Sequence, residues 1–127
     1  MRLPPQVTER LKEHEIDSEP RRFGDLTEPA PIEHELGFTV RRSDLDLADH
    51  VNNSSYVEWA IEAVPEEVWG SSELAGLEIH FLSECHHGQT VLSRSQIVER
   101  TDANEVRHKL VREEDGTEVA RAMTLWR

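Results

Sequence analysis

The sequence predicts an α+β domain in which one helix packs against an antiparallel sheet. Two observations carry that prediction: one amphipathic helical segment, and strand-like alternation on either side of it. A third supports it, an Asp-Gly turn late in the chain that suits a β-hairpin.

Residues from Met1 to about Ile32 are expected to form a linker or strap with one short helix. Prolines at 4, 5, 20, 29 and 31 leave room for a helix only from Val7 to Ile16. Thr8 can cap it, with Glu9 near its positive end. A single folded domain is expected over residues 33–127. Leu36, Phe38 and Val40 alternate with polar neighbours, which predicts a half-buried strand. A polar run follows from Ser43 to Ser55. Tyr56, Val57, Ala60, Ile61 and Val64 then recur at helical spacing, with Glu58 and Glu62 opposite. Ser55 and Glu58 have capping-box spacing, and Asn52 to Ser54 are also suited to cap. Pro65 ends or restarts the helix. Leu77, Ile79 and Phe81 line one face of the next strand, and Gly88 marks a turn after it. Thr90 to Val98, Val106 to Arg112 and Glu118 to Trp126 read as three more strands, about four in meander. Glu114-Asp115-Gly116-Thr117 is the hairpin turn, with Gly116 suited to positive φ.

Composition bounds the function. A chain of 127 residues holds one domain and can bury about two thirds of its unfolded surface. The formal charge of −12 argues against nucleic acid as a partner. No apolar run approaches the roughly 18 residues of a membrane span, and the start of the chain lacks a signal-peptide pattern. The single cysteine suits a reducing compartment, so a cytoplasmic location is expected. Basic side chains that could form a local docking patch are Arg41, Arg42, Arg107, Lys109, Arg112 and Arg121.

The polar run before the helix contains Asp44, Asp46, Asp49 and His50. A helix starting near Asn53 offers unpaired amides and a positive dipole end, where a carbonyl oxygen can dock. Asp46 and His50 stand just before that point. Glu84 and Cys85 follow a strand. If that strand crosses the helix start, two carboxylates and an imidazole converge, and the crowding raises one carboxyl pKa. That set suits activation of water beside a polarised carbonyl. Each residue also has a plainer reading: the aspartates as loop and cap residues, His50 as a surface group, Cys85 as small core filler, Tyr56 and Trp59 as core. Cys85, His86 and His87 with His80 and Glu84 carry zinc-type ligands, but adjacent histidines on an extended chain point to opposite faces. No metal or other cofactor is expected.

The stretch DLDLADHVNNSSYVEWAIEAVP, residues 44–65, resembles the C-terminal half of the acyl-acyl-carrier-protein thioesterases. The resemblance continues through Phe81-Leu82-Ser83-Glu84-Cys85, through His108 to Leu110, and from Asp115 to Arg127. Leu3-Pro4 and the short helix after them resemble the segment that joins the halves in that family. The resemblance implies a hot-dog fold, a sheet wrapped round a central helix, within the 4-hydroxybenzoyl-CoA thioesterase-like superfamily. It implies hydrolysis of an acyl thioester on acyl-carrier protein or coenzyme A. Carried over by position, it makes Asp46 and Glu84 the carboxylates acting on water or carbonyl, and His50 the polarising or orienting group. Val51, Asn52, Asn53 and Cys85 are the implied substrate contacts, with the Val51 or Asn52 amide as oxyanion donor. Ala48 stands where the family has asparagine. Family members usually carry two halves in one chain; with one half in view, a homodimer is expected, its acyl slot between protomers. Two function classes follow: an acyl-thioester hydrolase, or a non-catalytic acyl-binding remnant.

Overall fold

A computed structural model describes residues 26–127. The short helix expected within Val7 to Ile16 lies outside the described residues. Five strands and two short α-helices make up the rest: β1 His34–Thr39, α1 Asn53–Glu62, α2 Glu66–Ser71, β2 Leu74–Phe81, β3 Thr90–Glu99, β4 Asn104–Arg112 and β5 Glu118–Trp126. All pairs are antiparallel, in the order β1-β3-β4-β5-β2. No helix among the described residues is long and apolar enough to cross a membrane.

Alternation places the core. Val91, Ser93 and Ser95 of β3, Val106, His108 and Leu110 of β4, and Ala122, Thr124 and Trp126 of β5 are all buried. They share the face that receives α1, because residues two apart on a strand point the same way. From Ser55 to Ile61 every residue of α1 is buried. Tyr56, Trp59 and Ala60 pack with Val40, Cys85, Leu110 and Ala120, while Val57 and Ile61 pack with Val68, Leu77 and Trp126. Each large apolar side chain sealed this way contributes about 1.5–3 kcal/mol.

Three expectations need correction. The strands do not form a four-strand meander: only β3, β4 and β5 do, and β2 pairs with β5 at the far edge. Period-two alternation fixes which face a strand buries, not which strand lies beside it. The helix starts at Asn53, as expected, with Asn52 as its N-cap, so Ser55 of the capping-box pair lies in its first turn. Glu58 is buried rather than outward, since α1 is enclosed around most of its circumference. Leu36, on edge strand β1, is 48% exposed, so only the end of its stretch, at Val40, is sealed.

The crossover from β2 back to β3, residues 82–89, runs past the end of the sheet. The amides of Leu82 and Ser83 donate to the Val119 carbonyl, and Gly88 donates to that of Val40. Gly88 turns the chain with φ +85°. Before β1, residues 26–33 lie against the opposite, outer face of the sheet. There Arg121 donates to the Leu26 carbonyl, Gln96 exchanges hydrogen bonds with Ala30, and Lys109 faces Glu28.

Candidate active site

The loop before α1 is a closed hairpin. Leu45 bridges Val51, the Asp46 amide donates to the His50 carbonyl, and the Asn52 amide donates to the Asp44 carbonyl. Asp49 turns the tip with φ +61°, a conformation aspartate tolerates better than most residues. Asp44, 2% exposed, fastens the hairpin base. Its carboxylate accepts from the Arg41 amide at 2.8 Å and from Ser55 Oγ, in the first turn of α1, at 3.0 Å. Burial alone would raise its pKa, but the Arg41 and Ser55 hydrogen bonds outweigh burial and hold it below the usual carboxylate range.

Asp46 Oδ1 accepts from the amides of His50 at 3.0 Å and Ala48 at 2.8 Å. The His50 bond, followed by the Ala48 bond, keeps the Asp46 carboxyl ionised below its ordinary range. Asp46 therefore does not show the raised pKa expected of crowded carboxylates: two amides stabilise its charged form.

The crossover supplies the second wall. His50 Nδ1 lies 3.8 Å from Glu84 Oε1, with both side chains about 60% exposed. Cys85, next along, faces the other way. Its thiol is 1% exposed in the cluster beneath α1, and burial pushes its pKa up. A substrate contact by that thiol, as the resemblance implies, does not fit this placement. The Cys85 amide donates to the Tyr56 phenol oxygen at 3.1 Å, and Tyr56 is pushed up to about 12 by burial, so it stays neutral.

Of the expected substrate contacts, Val51 is buried with its side chain in the core, while Asn53 is exposed at the first helical position. The Asn52 amide is not available as an oxyanion donor, because it closes the hairpin on Asp44. The Val51 amide falls outside the two ladder bonds of the bridge. The structure thus sets His50 beside Glu84, with Asp46 bonded to the His50 backbone amide in the hairpin that leads into α1.

Three residues of this neighbourhood escaped the sequence reading of the site. Asp44 looks like the other loop aspartates, because a buried carboxylate has no local signature. The spacing of Tyr56 marks it as core and nothing more. Arg112 is a candidate docking cation by charge, yet it donates from Nη1 to the Glu84 carbonyl at 2.6 Å. Nor do Arg107, Lys109 and Arg121 form a free basic patch, because they face Glu105, Glu28 and Glu118. A depression of about 450 Å³ beside the crossover is lined by His87, Gly88, Gln89, Thr90, Glu113 and Glu114. Its polar walls do not suit an acyl chain.

Residues 28–127 match the family model described as acyl-ACP thioesterase C-terminal domain. An acyl-[acyl-carrier-protein] hydrolase of Cuphea viscosissima is 32% identical over 135 aligned residues, covering 99% of this chain and 32% of that protein. A dodecanoyl-[acyl-carrier-protein] hydrolase of Cinnamomum camphora is 36% identical over 92 residues, covering 72% of this chain and 24% of that protein. Both are named chloroplastic. The chain thus spans about a third or less of the length of these relatives. Among solved structures, the 12:0-ACP thioesterase of Umbellularia californica superposes with a TM-score of 0.70 at 26% identity, over 98% of this chain and 48% of that one. A 1,4-dihydroxy-2-naphthoyl-CoA thioesterase from Synechocystis superposes at 0.67 with 19% identity, over 73% and 79%. The α+β architecture is therefore the hot-dog fold.

Proposed function

The chain belongs to the acyl-ACP thioesterase family, and from that premise we propose that it hydrolyses fatty-acyl thioesters of acyl-carrier protein or coenzyme A. The observation that carries this reading is the approach of His50 to Glu84 from two separate loops, 3.8 Å apart and open to solvent beside the start of α1. Glu84 takes a proton from water as the water oxygen attacks the thioester carbon. The carbonyl oxygen gathers negative charge against the helix start and the Val51 amide. His50 polarises the carbonyl or orients the water. Asp46 holds the His50 backbone through Oδ1 and leaves Oδ2 to face the water. Collapse of the tetrahedral species breaks the carbon–sulfur bond, and the thiolate leaves and takes up a proton. The products are a free fatty acid and the carrier thiol.

The active unit in this reading is a homodimer. Support comes from edge strand β2 with Phe81 and Leu82 beside it, 42% and 39% exposed, which leaves an apolar margin next to Glu84. A second protomer there would wall the acyl slot. Light scattering at micromolar concentration is expected to give twice the chain mass, and a monomer would remove the dimer. A reducing, cytoplasmic setting goes with this reading, supported by the single cysteine.

The test is an assay of medium- and long-chain acyl thioesters on both carriers, wild type against Asp46→Asn and Glu84→Gln. Wild-type turnover well above both variants is expected. Turnover equal to the variants and to the background without protein would favour the second reading, a non-catalytic acyl-binding domain. Ala48 is the observation behind that alternative, since an exposed methyl stands where the family has an amide side chain.

A further inference from the structure

One peptide unit in the crossover is held at both ends. The carbonyl of Glu84 accepts from Arg112 Nη1 at 2.6 Å, and the amide of Cys85, in the same peptide plane, donates to Tyr56 Oη at 3.1 Å. Arg112 lies at the end of β4 and Tyr56 in the first half of α1, so two elements grip the plane from opposite sides. Arg112 is itself fixed. Its Nε and Nη2 fork onto Asp115 at 3.0–3.2 Å, and Asp115 Oδ1 also accepts from the Thr117 amide. These bonds pull the Asp115 carboxyl far below its ordinary range, Arg112 being the main cause. The turn that carries them is tight, with Gly116 at φ +73° and its amide on the Arg112 carbonyl.

We propose that Arg112, braced by Asp115 and opposed by Tyr56, is a positioning residue that fixes the Glu84–Cys85 peptide so that Glu84 turns outward to His50 while Cys85 turns into the core. A peptide plane is rigid, so holding its oxygen and its N–H sets where the Glu84 side chain leaves the backbone. Arg112 makes no contact with substrate in this scheme. The proposal deepens the thioesterase reading, and its test separates the two.

The first measurement uses no substrate. The His50 ring signals are followed by proton–nitrogen NMR at fixed pH in wild type, Glu84→Gln, Arg112→Met and Asp115→Asn. In Arg112→Met the ring signals are expected to move the same way as in Glu84→Gln, and at least half as far. Asp115→Asn, a change at an exposed turn, should give a smaller movement in that direction. Unmoved signals in a folded Arg112→Met, or in Asp115→Asn should Arg112→Met fail to fold, overturn the proposal. The second measurement is steady-state hydrolysis. Here kcat is expected to fall about tenfold in Arg112→Met with KM within about twofold, because alignment is lost rather than binding. Arg112→Lys should recover part of that loss, since an ammonium still reaches the Glu84 carbonyl but cannot fork onto Asp115. Arg107→Met, which breaks an ion pair with Glu105 on the outer face, should leave kcat unchanged. An equal loss in Arg107→Met and Arg112→Met would mark a merely structural role. If wild type shows no turnover, the hydrolase reading falls while the NMR comparison still decides the clamp.

Discussion

Two imidazoles in this domain meet opposite surroundings. His50 stands at the end of the sheet, 61% exposed, with a carboxylate of another loop 3.8 Å away. His108 lies in the middle of β4 under α1, fully buried, with Nε2 at 2.8 Å from Thr124 Oγ1 and Nδ1 without a hydrogen-bond partner among the described residues. Thr124 Oγ1 also accepts from Trp126 Nε1 at 2.8 Å. Burial pushes His108 down to about 3, so it is neutral in any ordinary buffer. One histidine is open to solvent beside a carboxylate. The other is a polar filler that the core keeps neutral. Residue type alone does not distinguish them; the wall each one stands on does.

The sharpest way to break this contrast is through pH. The pKa of His108 is about 3 when folded and roughly 6.5 when unfolded. Between those values the unfolded chain binds a proton that the folded chain refuses. The contribution is therefore fully present above pH 6.5 and is lost as pH falls toward 3. The loss is about 1.4 kcal/mol per pH unit while only the unfolded chain takes the proton, a few kcal/mol in all. Urea melts at pH 7.5 and 4.5 should show this slope in wild type and lose most of it in His108→Gln, whose amide does not titrate. An undiminished slope would mean that His108 is charged when folded.

The converse substitution, His50→Gln, is expected to leave the urea midpoint within about 0.5 kcal/mol of wild type, as surface changes do. Its effect falls on hydrolysis instead: kcat lower by about 100-fold, near 2.7 kcal/mol in the barrier, on the scale of a lost acid–base or polarising group. Stability loss without rate loss would reverse the assignment of the two histidines.

Asp44 joins the two regions, since it ties the exposed hairpin to the buried start of α1 through Arg41 and Ser55. Replacing it with alanine leaves the Ser55 hydroxyl and the Arg41 amide without their acceptor, a cost of about 2 kcal/mol. Its depressed pKa gives a second signature. The stability it adds is present above the unfolded carboxyl value near 3.9 and is lost as pH falls through the lower folded value. Denaturant midpoints of wild type and Asp44→Ala should therefore converge as the pH drops toward 2. A gap that stays constant down to pH 2 would show that the Asp44 carboxylate charge contributes nothing.

The two walls of the site differed in how far the sequence revealed them. The hairpin is closed by bonds between residues at most eleven apart, and its aspartates and asparagines announce a turn running into a helix cap. The crossover is fastened instead to Val40, Tyr56, Val119 and Arg112, at least 28 positions away. Strands β3, β4 and β5 were legible to within one or two residues because buried and half-buried positions alternate along them. The pairing of β2 was not, because a hydrophobic pattern carries no record of its neighbour. Nothing local marks Arg112 as the residue that grips Glu84 either. That contact exists because β2 was carried to the far edge, which sends its return loop over the end of β4.

The smallest expected effect concerns the tip of the hairpin. Ala48 is exposed, and its amide is already engaged by Asp46 Oδ1, so the backbone there is set without help from a side chain. Ala48→Asn should therefore fold with an unchanged urea midpoint. The added amide can donate toward the carbonyl or the attacking water, and kcat is expected to rise by up to about tenfold, near 1.4 kcal/mol. Reversed-phase quantification of released fatty acid would read the change. The gain depends on an aligned partner across the site, so it should vanish in Ala48→Asn combined with Glu84→Gln, where the proposed base is gone. A gain that survives the double substitution would place the work of residue 48 on substrate binding, and with it the hairpin wall as a recognition surface apart from the chemistry on the crossover.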